Sequence, residues 1–429
     1  MKQINIGILG LGTVGGGTFT ILQRNAALIA QRTGCELRVT KIATRTPQKA
    51  AQWQAPSEIV STDVESLLRD PEIHIVAELI GGIEPARTYI LEAFKNKKSV
   101  VTANKELLAK HGAEIRAAAE EAGVDLLIEG AVGGGIPLIK PLRESLAGNE
   151  IKQLMGIVNG TTNFILTKMT RENSDFAEVL AEAQSLGYAE ADPTADVEAF
   201  DAAYKLSILA GIAFDTPLDP NTDIYREGIT KVSAKDIDYA AELGYIIKLI
   251  ALARKTESGE LELRVHPTLI PKNHPLSSVN DAFNALFLTG DAVGDLMFYG
   301  RGAGDLPTGS AVVGDIIEAA KNICRGVKNV DFAPREKARV ASFDSHSTRF
   351  CVRMQVEDKP GTIAKIASAF GDAGVSIESI VQRNTENGVA EIFWMTHATT
   401  QSALNNAIAA WNELEVVQHL SSVLRVEGE

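Results

Sequence analysis

A chain of 429 residues exceeds what one hydrophobic core ordinarily organises, so two or three domains are expected. Hydrophobic residues make up 45% and charged residues 23%, the balance of a soluble globular protein, and a formal charge of −13 argues against the basic face that nucleic acid requires. Cys35, Cys324 and Cys351 lie far apart, which excludes a cysteine-built metal site and a disulfide framework and fits a reducing compartment. The opening "MKQINIGILGLG" is too short and too glycine-broken for a signal peptide, and no apolar run is long enough for a membrane span. The expectation is a cytoplasmic protein with no nucleic-acid or membrane partner.

Residues 3–135 alternate apolar runs with helical stretches. "INIGIL", "LRVTKIA", "IHIVAELI", "KSVVTAN" and "VDLLIEG" read as strands, while "EPARTYILEAFKN" and "KELLAKHGAEIRAAAEEAG" read as helices. That order predicts an α/β fold of the Rossmann type, a doubly wound parallel sheet with helices on its faces. Directly after the first run, "GLGTVGGG" places Gly10, Gly12 and Gly15 in G-x-G-x-x-G spacing, with Thr13 and Val14 between them at the start of a helix. In this context the glycines let backbone N–H groups approach a dinucleotide pyrophosphate.

At the end of the second strand an NAD site usually carries an acidic residue that accepts from the ribose 2′-hydroxyl. This chain has Arg45 there, with Lys49 nearby. A guanidinium suits a 2′-phosphate, which points to NADP; the competing reading is a merely exposed arginine, and NAD stays open. Lys105, in "TANKELLA", follows the strand that ends near Thr102 and so points toward the cofactor crevice. As a plain surface lysine it would sit unfavourably at the positive end of a helix. "EGAVGGGIP" is a second glycine loop headed by Glu129, whose carbonyls and carboxylate suit a hard cation as well as its glycines suit a hinge.

Residues 136–303 read as an α+β domain, with helices over 175–186 and 195–213 and strands "IKQLMGIV" and "LELRVHPTLI". In the second helix, Val197, Asp201, Tyr204, Lys205, Ile208 and Ile212 form one stripe at helical spacing. Asp201 and Lys205 therefore place charge where a helix normally buries hydrocarbon. Such charges are costly unless paired or serving a reacting group. The turn "LGYAEADP" just upstream adds the carboxylates of Glu190 and Asp192. One lysine among carboxylates suits proton donation to a carbonyl beside an ammonium-bearing substrate; the spacing alone equally permits a structural ion pair.

Residues 304–328 read as a helix completing the first domain, and 329–348 as a linker. The remainder, 349–429, has a βαββαβ order with helices over 361–373 and 401–412, a ferredoxin-like pattern.

Taken in order, "GLGTVGGG", "TANKELLA", "EGAVGGGIP", "NGTTNFIL", "GYAEADPTADVEAFDAAYKL" and "YGRGAGDLPTGSAVVGD" resemble the homoserine dehydrogenase family over roughly residues 1–325, and "DKPGTIAKIASAF" resembles an ACT domain. The resemblance implies NAD(P)-dependent interconversion of L-aspartate 4-semialdehyde and L-homoserine, on the route to threonine, methionine and isoleucine. It implies Lys205 as proton donor, Asp201 as its substrate-binding neighbour and Lys105 beside the nicotinamide. Glu190, with Gly187 close by, corresponds to the residue holding the substrate amino group, and Asp196 joins the substrate-binding set. Glu129, Val132, Gly134 and Ile136 match a monovalent-cation (Na+) loop, and Gly302 a cofactor-contacting turn. Feedback by L-threonine and a homodimer or homotetramer are also implied, the ACT segment's alternative being a dimerisation module without a ligand. Two departures stand out: Arg301, where many relatives have proline, and Ala195, where some have aspartate.

Rival readings lack their chemistry. Aspartate-semialdehyde dehydrogenase needs a cysteine nucleophile, and none of the three cysteines is well placed. An ACT-bearing hydroxy-acid dehydrogenase normally uses a histidine, and none of the seven here lies in a convincing motif. A non-catalytic amino-acid sensor would not need Lys105, Glu190, Asp201 and Lys205 together.

Overall fold

The computed structural model describes residues 1–329 and 336–428, in two compact units. The expected linker, 329–348, thus lies partly outside the described residues. The first unit comprises Met1–Leu154, Asp201–Ile224 and Phe283–Ala338; the second comprises Met155–Phe200, Tyr225–Ala282 and Arg339–Glu429.

In the first unit the apolar runs pair as a six-stranded parallel sheet. Its strands are β1 (Lys2–Leu9), β2 (Cys35–Ala43), β3 (Val60–Ser61), β4 (Ile73–Glu78), β5 (Ser99–Thr102) and β6 (Leu126–Leu127), in the order β3-β2-β1-β4-β5-β6. Ile4, Ile6, Ile8, Ile75, Val100 and Val101 are fully buried, as expected of strands covered on both faces. The strand order reverses between β1 and β4, so the crevice beyond their carboxyl ends is where an open α/β sheet binds its ligand. The helix Asp305–Arg325 returns to pack on the helix Thr13–Arg24, sharing a core of Phe19, Leu22, Val312, Val313 and Ile316. That contact is close because a methyl group on Gly17 would lie 2.1 Å from the Asp305 carbonyl oxygen.

The second unit holds the βαββαβ pattern. Strands Ser347–Glu357, Ile377–Glu386, Val389–Thr396 and Val417–Val426 pair antiparallel, and helices Thr362–Asp372 and Gln401–Asn412 cover one face around Phe350, Phe370, Trp394 and Trp411. Val417–Val426 also pairs in parallel with Leu261–Pro271, which forms an antiparallel hairpin with Tyr245–Lys255. Strands of the middle region therefore continue the ferredoxin-like sheet.

Two local features differ from the sequence expectation. The helix expected over 195–213 is broken: Thr194–Val197 ends at Ala199, whose φ of +63° is left-handed, and Phe200–Ala213 begins anew. Close packing accompanies the break, since a methyl group on Gly228 would lie 2.3 Å from the Val197 carbonyl oxygen. The strands Tyr245–Lys255, Phe283–Gly290 and Gly294–Arg301 are additional to those expected. "YIIKLIALARK" is a nearly unbroken apolar run, for which periodicity does not distinguish strand from helix. Among the described residues, no helix is long and apolar enough to cross a membrane.

Candidate active site

The glycine loop passes a direct test for a dinucleotide. Gly10 has a φ of +95°, and a methyl group there would lie 2.7 Å from the Leu79 carbonyl oxygen. One on Gly15 would lie 2.0 Å from the Gly10 carbonyl oxygen, so both glycines are required by the fold itself. Gly12 is different: a methyl group there meets nothing within 4 Å, and the space before the helix stays open. Gly12 and Thr13 are exposed, Val14 is half-buried, and the first turn of the helix carries no acidic residue. This cradle fits a pyrophosphate. Arg45 lies exposed just past β2, two residues beyond Ala43.

At the crevice, Glu78 ends β4 with its carboxylate fully buried. It accepts from the Thr102 hydroxyl at 2.6 Å and from Ile80 N–H at 2.9 Å. Thr102 Oγ1 accepts in turn from Asn104 N–H, and the Asn104 side chain caps the next helix by accepting from Leu107 N–H at 3.2 Å. This relay fixes Lys105 at the first position of helix Lys105–Ala122.

The helix Phe200–Ala213 supplies the partner. One oxygen of Asp201 contacts Lys105 Nζ, and the other lies 2.7 Å from Lys205 Nζ. Asp201 and Lys205 are buried, whereas the Lys105 side chain is 42% exposed. Burial pushes the Asp201 carboxyl up, but the ammonium groups of Lys205 and Lys105 outweigh it and hold the group well below the usual carboxylate range. Two ammonium groups thus share this one carboxylate. Lys110, over the Tyr204 ring at 5.1 Å, makes a second link between the two helices. Residues around the whole of this helix are buried, including Ala202, Ala203, Leu206 and Leu209, so the expected apolar stripe was too narrow a description.

The second glycine loop is buried and hydrogen-bonded. The Glu129 carboxylate accepts from three backbone N–H groups, those of Leu138 (2.6 Å), Ile139 (2.9 Å) and Lys140 (2.8 Å). A carboxylate offers about four lone-pair sites, so capacity for a cation is left. Glu129 N–H donates to Asp315, a carboxyl that burial pushes well up. Val132 and Ile136 are buried. Gly134 has a φ of +57° and packs so closely on Gly302 that a methyl group would lie 2.4 Å from the Gly302 carbonyl. Arg301 lies over the Phe283 ring at 5.5 Å. Among the described residues there is no cluster of three or more His, Cys, Asp or Glu side chains suited to a metal. A site built mainly from backbone carbonyls needs no such cluster.

The second unit carries the other expected substrate residues. Gly187 has a φ of +77°, Glu190 is exposed, and half-buried Asp196 accepts from Asn159 Nδ2 at 2.7 Å. Asp192 differs in kind. Its Oδ1 accepts from both the N–H and the hydroxyl of Thr194, and these bonds hold its carboxyl below the ordinary value. Sequence reasoning missed Glu78, Asp315 and Asn159. Only Asn159 had a visible signal, as the head of "NGTTN".

Family models described as "Homoserine dehydrogenase, NAD binding domain", "Homoserine dehydrogenase" and "ACT domain" match residues 10–129, 137–317 and 352–416. A homoserine dehydrogenase of Synechocystis sp. is 47% identical over 436 residues, covering 99% of each chain. The crystal structure of one from Thiobacillus denitrificans is 44% identical with a TM-score of 0.95, covering 100% of this chain and 99% of that one. A hyperthermophilic archaeal homoserine dehydrogenase, solved in complex with NADPH, is 28% identical with a TM-score of 0.63, covering 74% of this chain and 98% of that one.

Proposed function

Because the chain belongs to the homoserine dehydrogenase family, an NAD(P)-dependent oxidoreductase with a C-terminal ACT domain, we propose a division of labour among its residues. The substrate pair is L-aspartate 4-semialdehyde and L-homoserine. The bound nicotinamide supplies or accepts the hydride. Lys205 gives a proton to the aldehyde oxygen as it becomes the alcohol, and takes it back in the reverse direction. Asp201 holds the Lys205 and Lys105 ammonium groups in place, and their surplus positive charge favours the developing alkoxide. The single observation that carries this reading is the Asp201 carboxylate shared by both lysines. Glu190 and Gly187 receive the substrate amino group, with Asp196 beside them, as the family resemblance indicates.

The finer assignments follow the same resemblance, except the domain bounds and the role of Arg45, which follow from element order and from the charge just past β2. Residues 1–135 with 304–328 bind the dinucleotide, 136–303 form the catalytic and dimerisation domain, and 349–429 form the regulatory domain. Arg45 favours NADP by pairing with its 2′-phosphate. Glu129, with the carbonyls of Val132, Gly134 and Ile136, holds a sodium ion. L-Threonine inhibits through the ACT domain, and the enzyme is a cytoplasmic homodimer or homotetramer. One assay addresses most of this: absorbance at 340 nm with homoserine and NADP or NAD, with and without Na+ and threonine. Turnover that prefers NADP, rises with Na+ and falls with threonine is expected. Absence of homoserine-dependent reduction would reject the catalytic roles, and a rate unchanged up to millimolar threonine would reject inhibition.

A further inference from the structure

Lys248, in the strand Tyr245–Lys255, is fully buried and takes no part in the chemistry above. Its Nζ donates to the carbonyl oxygen of Val279 at 2.6 Å, to Asn163 Oδ1 at 3.0 Å and to Asn280 Oδ1 at 3.2 Å. The acceptors are one carbonyl and two amides, so all three ammonium protons are used. Asn163 sits in the first turn of helix Gly160–Glu172, and its Nδ2 donates back to the carbonyls of Val279 and Asp281 at 3.2 and 3.0 Å. The same helix start grips the substrate loop. Asn159 caps the helix and donates to Asp196, and the Thr161 hydroxyl donates to the Tyr188 carbonyl at 2.7 Å.

We propose that Lys248 is a positioning residue for the substrate. Its ammonium pins the start of helix Gly160–Glu172 to the 279–281 turn, and this helix start holds the loop bearing Gly187, Glu190 and Asp196. The inference rests on the reading of that loop as the substrate's amino-group site. A neutral amine offers only two protons to the three acceptors and turns its lone pair toward the third oxygen, so deprotonation slackens the pin. Burial, followed by the cation of Arg171, pushes Lys248 down to about 7, against the opposing charge of Asp281. Arg171 and Asp281 pair with each other at 2.7 Å. Across the hairpin Lys248 faces Thr268, which is uncharged. On the packed helix Ala234–Glu242, Asp236 pairs with Arg353, Lys235 with Glu391 and Glu242 with Arg383, while Asp238 is exposed. The pin is therefore charged below about pH 7 and slackened above it.

The test is KM for homoserine between pH 6 and 8 in the full-length enzyme, with kcat and KM for NADP measured alongside. Wild type should show KM rising with pH. Lys248→Met should raise KM about tenfold at pH 6, remove its pH dependence, and leave kcat and KM for NADP within about threefold. Asn280→Asp, which sets a carboxylate oxygen where the amide oxygen accepts, should move the rise in KM to higher pH. If Lys248→Met fails to fold, this second variant decides. A wild-type KM flat with pH, a rise retained in Lys248→Met, or an unmoved rise in Asn280→Asp overturns the proposal. Glu190→Gln separates the two readings: raised KM there with a silent Lys248→Met removes Lys248 alone, whereas a silent Glu190→Gln removes the substrate-loop assignment.

Discussion

A buried cluster of charge in the first unit and one in the second are built on opposite plans. In the first unit Asp201 serves two lysines, the count favours the cation, and Lys105 reaches solvent. In the second, Arg353 is shared by two carboxylates, donating to Asp236 at 2.8 Å, to Glu391 at 2.8 Å and to Ser233 at 3.0 Å, with these three charged side chains at most 8% exposed, while Lys235 at the rim lies 3.5 Å from Glu391. Ser422 and the Tyr239 hydroxyl supply further bonds to those carboxylates. The Arg353 cluster is closed in charge: two cations, Arg353 and the rim residue Lys235, face two carboxylates, and the Arg353 donors are matched inside the protein. The Asp201 cluster sets two ammonium groups on one carboxylate with an open side, the arrangement proposed to receive a carbonyl oxygen. Buried ion pairs are common; two cations on one carboxylate, one of them reaching solvent, is the feature on which the proposed catalytic role rests.

Lys205→Ala should break the comparison most visibly. Loss of the proposed proton donor is expected to lower kcat by about a thousandfold, while the melting temperature and the affinity for NADPH stay close to wild type, because Asp201 retains Lys105. Steady-state rates and a thermal melt on the same preparation check this. Near-normal turnover would take the lysine out of the mechanism.

Arg353→Met should show the reverse pattern. It leaves Asp236 and Glu391 buried without their shared cation, a change that typically costs about 3–5 kcal/mol. Urea denaturation should register that loss, while the specific activity of the remaining folded enzyme stays within about twofold. A variant as stable as wild type would show that the closed cluster contributes little to folding.

How far these clusters were legible in the sequence depends on how local they are. Asp201 and Lys205 share one helix, and the i, i+4 spacing displayed them together. Lys105 enters from a hundred residues away, and only the strand–helix order after β5 hinted at it. Arg353, Asp236 and Glu391 meet across three separate elements, so nothing in their spacing announced a cluster. Glu78 and Lys248 were hidden for another reason: each is polar within an apolar run, and only strand pairing reveals which oxygens and N–H groups surround it. The glycine loop and the βαββαβ order were readable because glycine geometry and hydrophobic period are local properties. The break at Ala199 was not, since Gly228, which packs against it, lies nearly thirty residues downstream.

The residue just past β2 gives a smaller effect. Arg45→Ala should raise KM for NADP about tenfold and change KM for NAD by less than about twofold, the expected loss of one exposed charge-assisted contact to a phosphate. Parallel titrations of both cofactors measure it. Equal effects on the two would mean that Arg45 contacts something other than the 2′-phosphate.

The smallest effect belongs to Asp192, and it sharpens what counts as part of the site. Sequence proximity groups Asp192 with Glu190 as carboxylates awaiting an ammonium. The geometry separates them, because a single Asp192 oxygen already accepts both the N–H and the hydroxyl of Thr194 and organises the turn before Thr194–Val197. Asparagine keeps that acceptor and discards only the charge. Asp192→Asn should therefore change kcat and KM for homoserine by less than about twofold, whereas Glu190→Gln should raise KM severalfold. A comparable rise in both variants would return Asp192 to the substrate set and make the Thr194 contact an incidental feature of the turn.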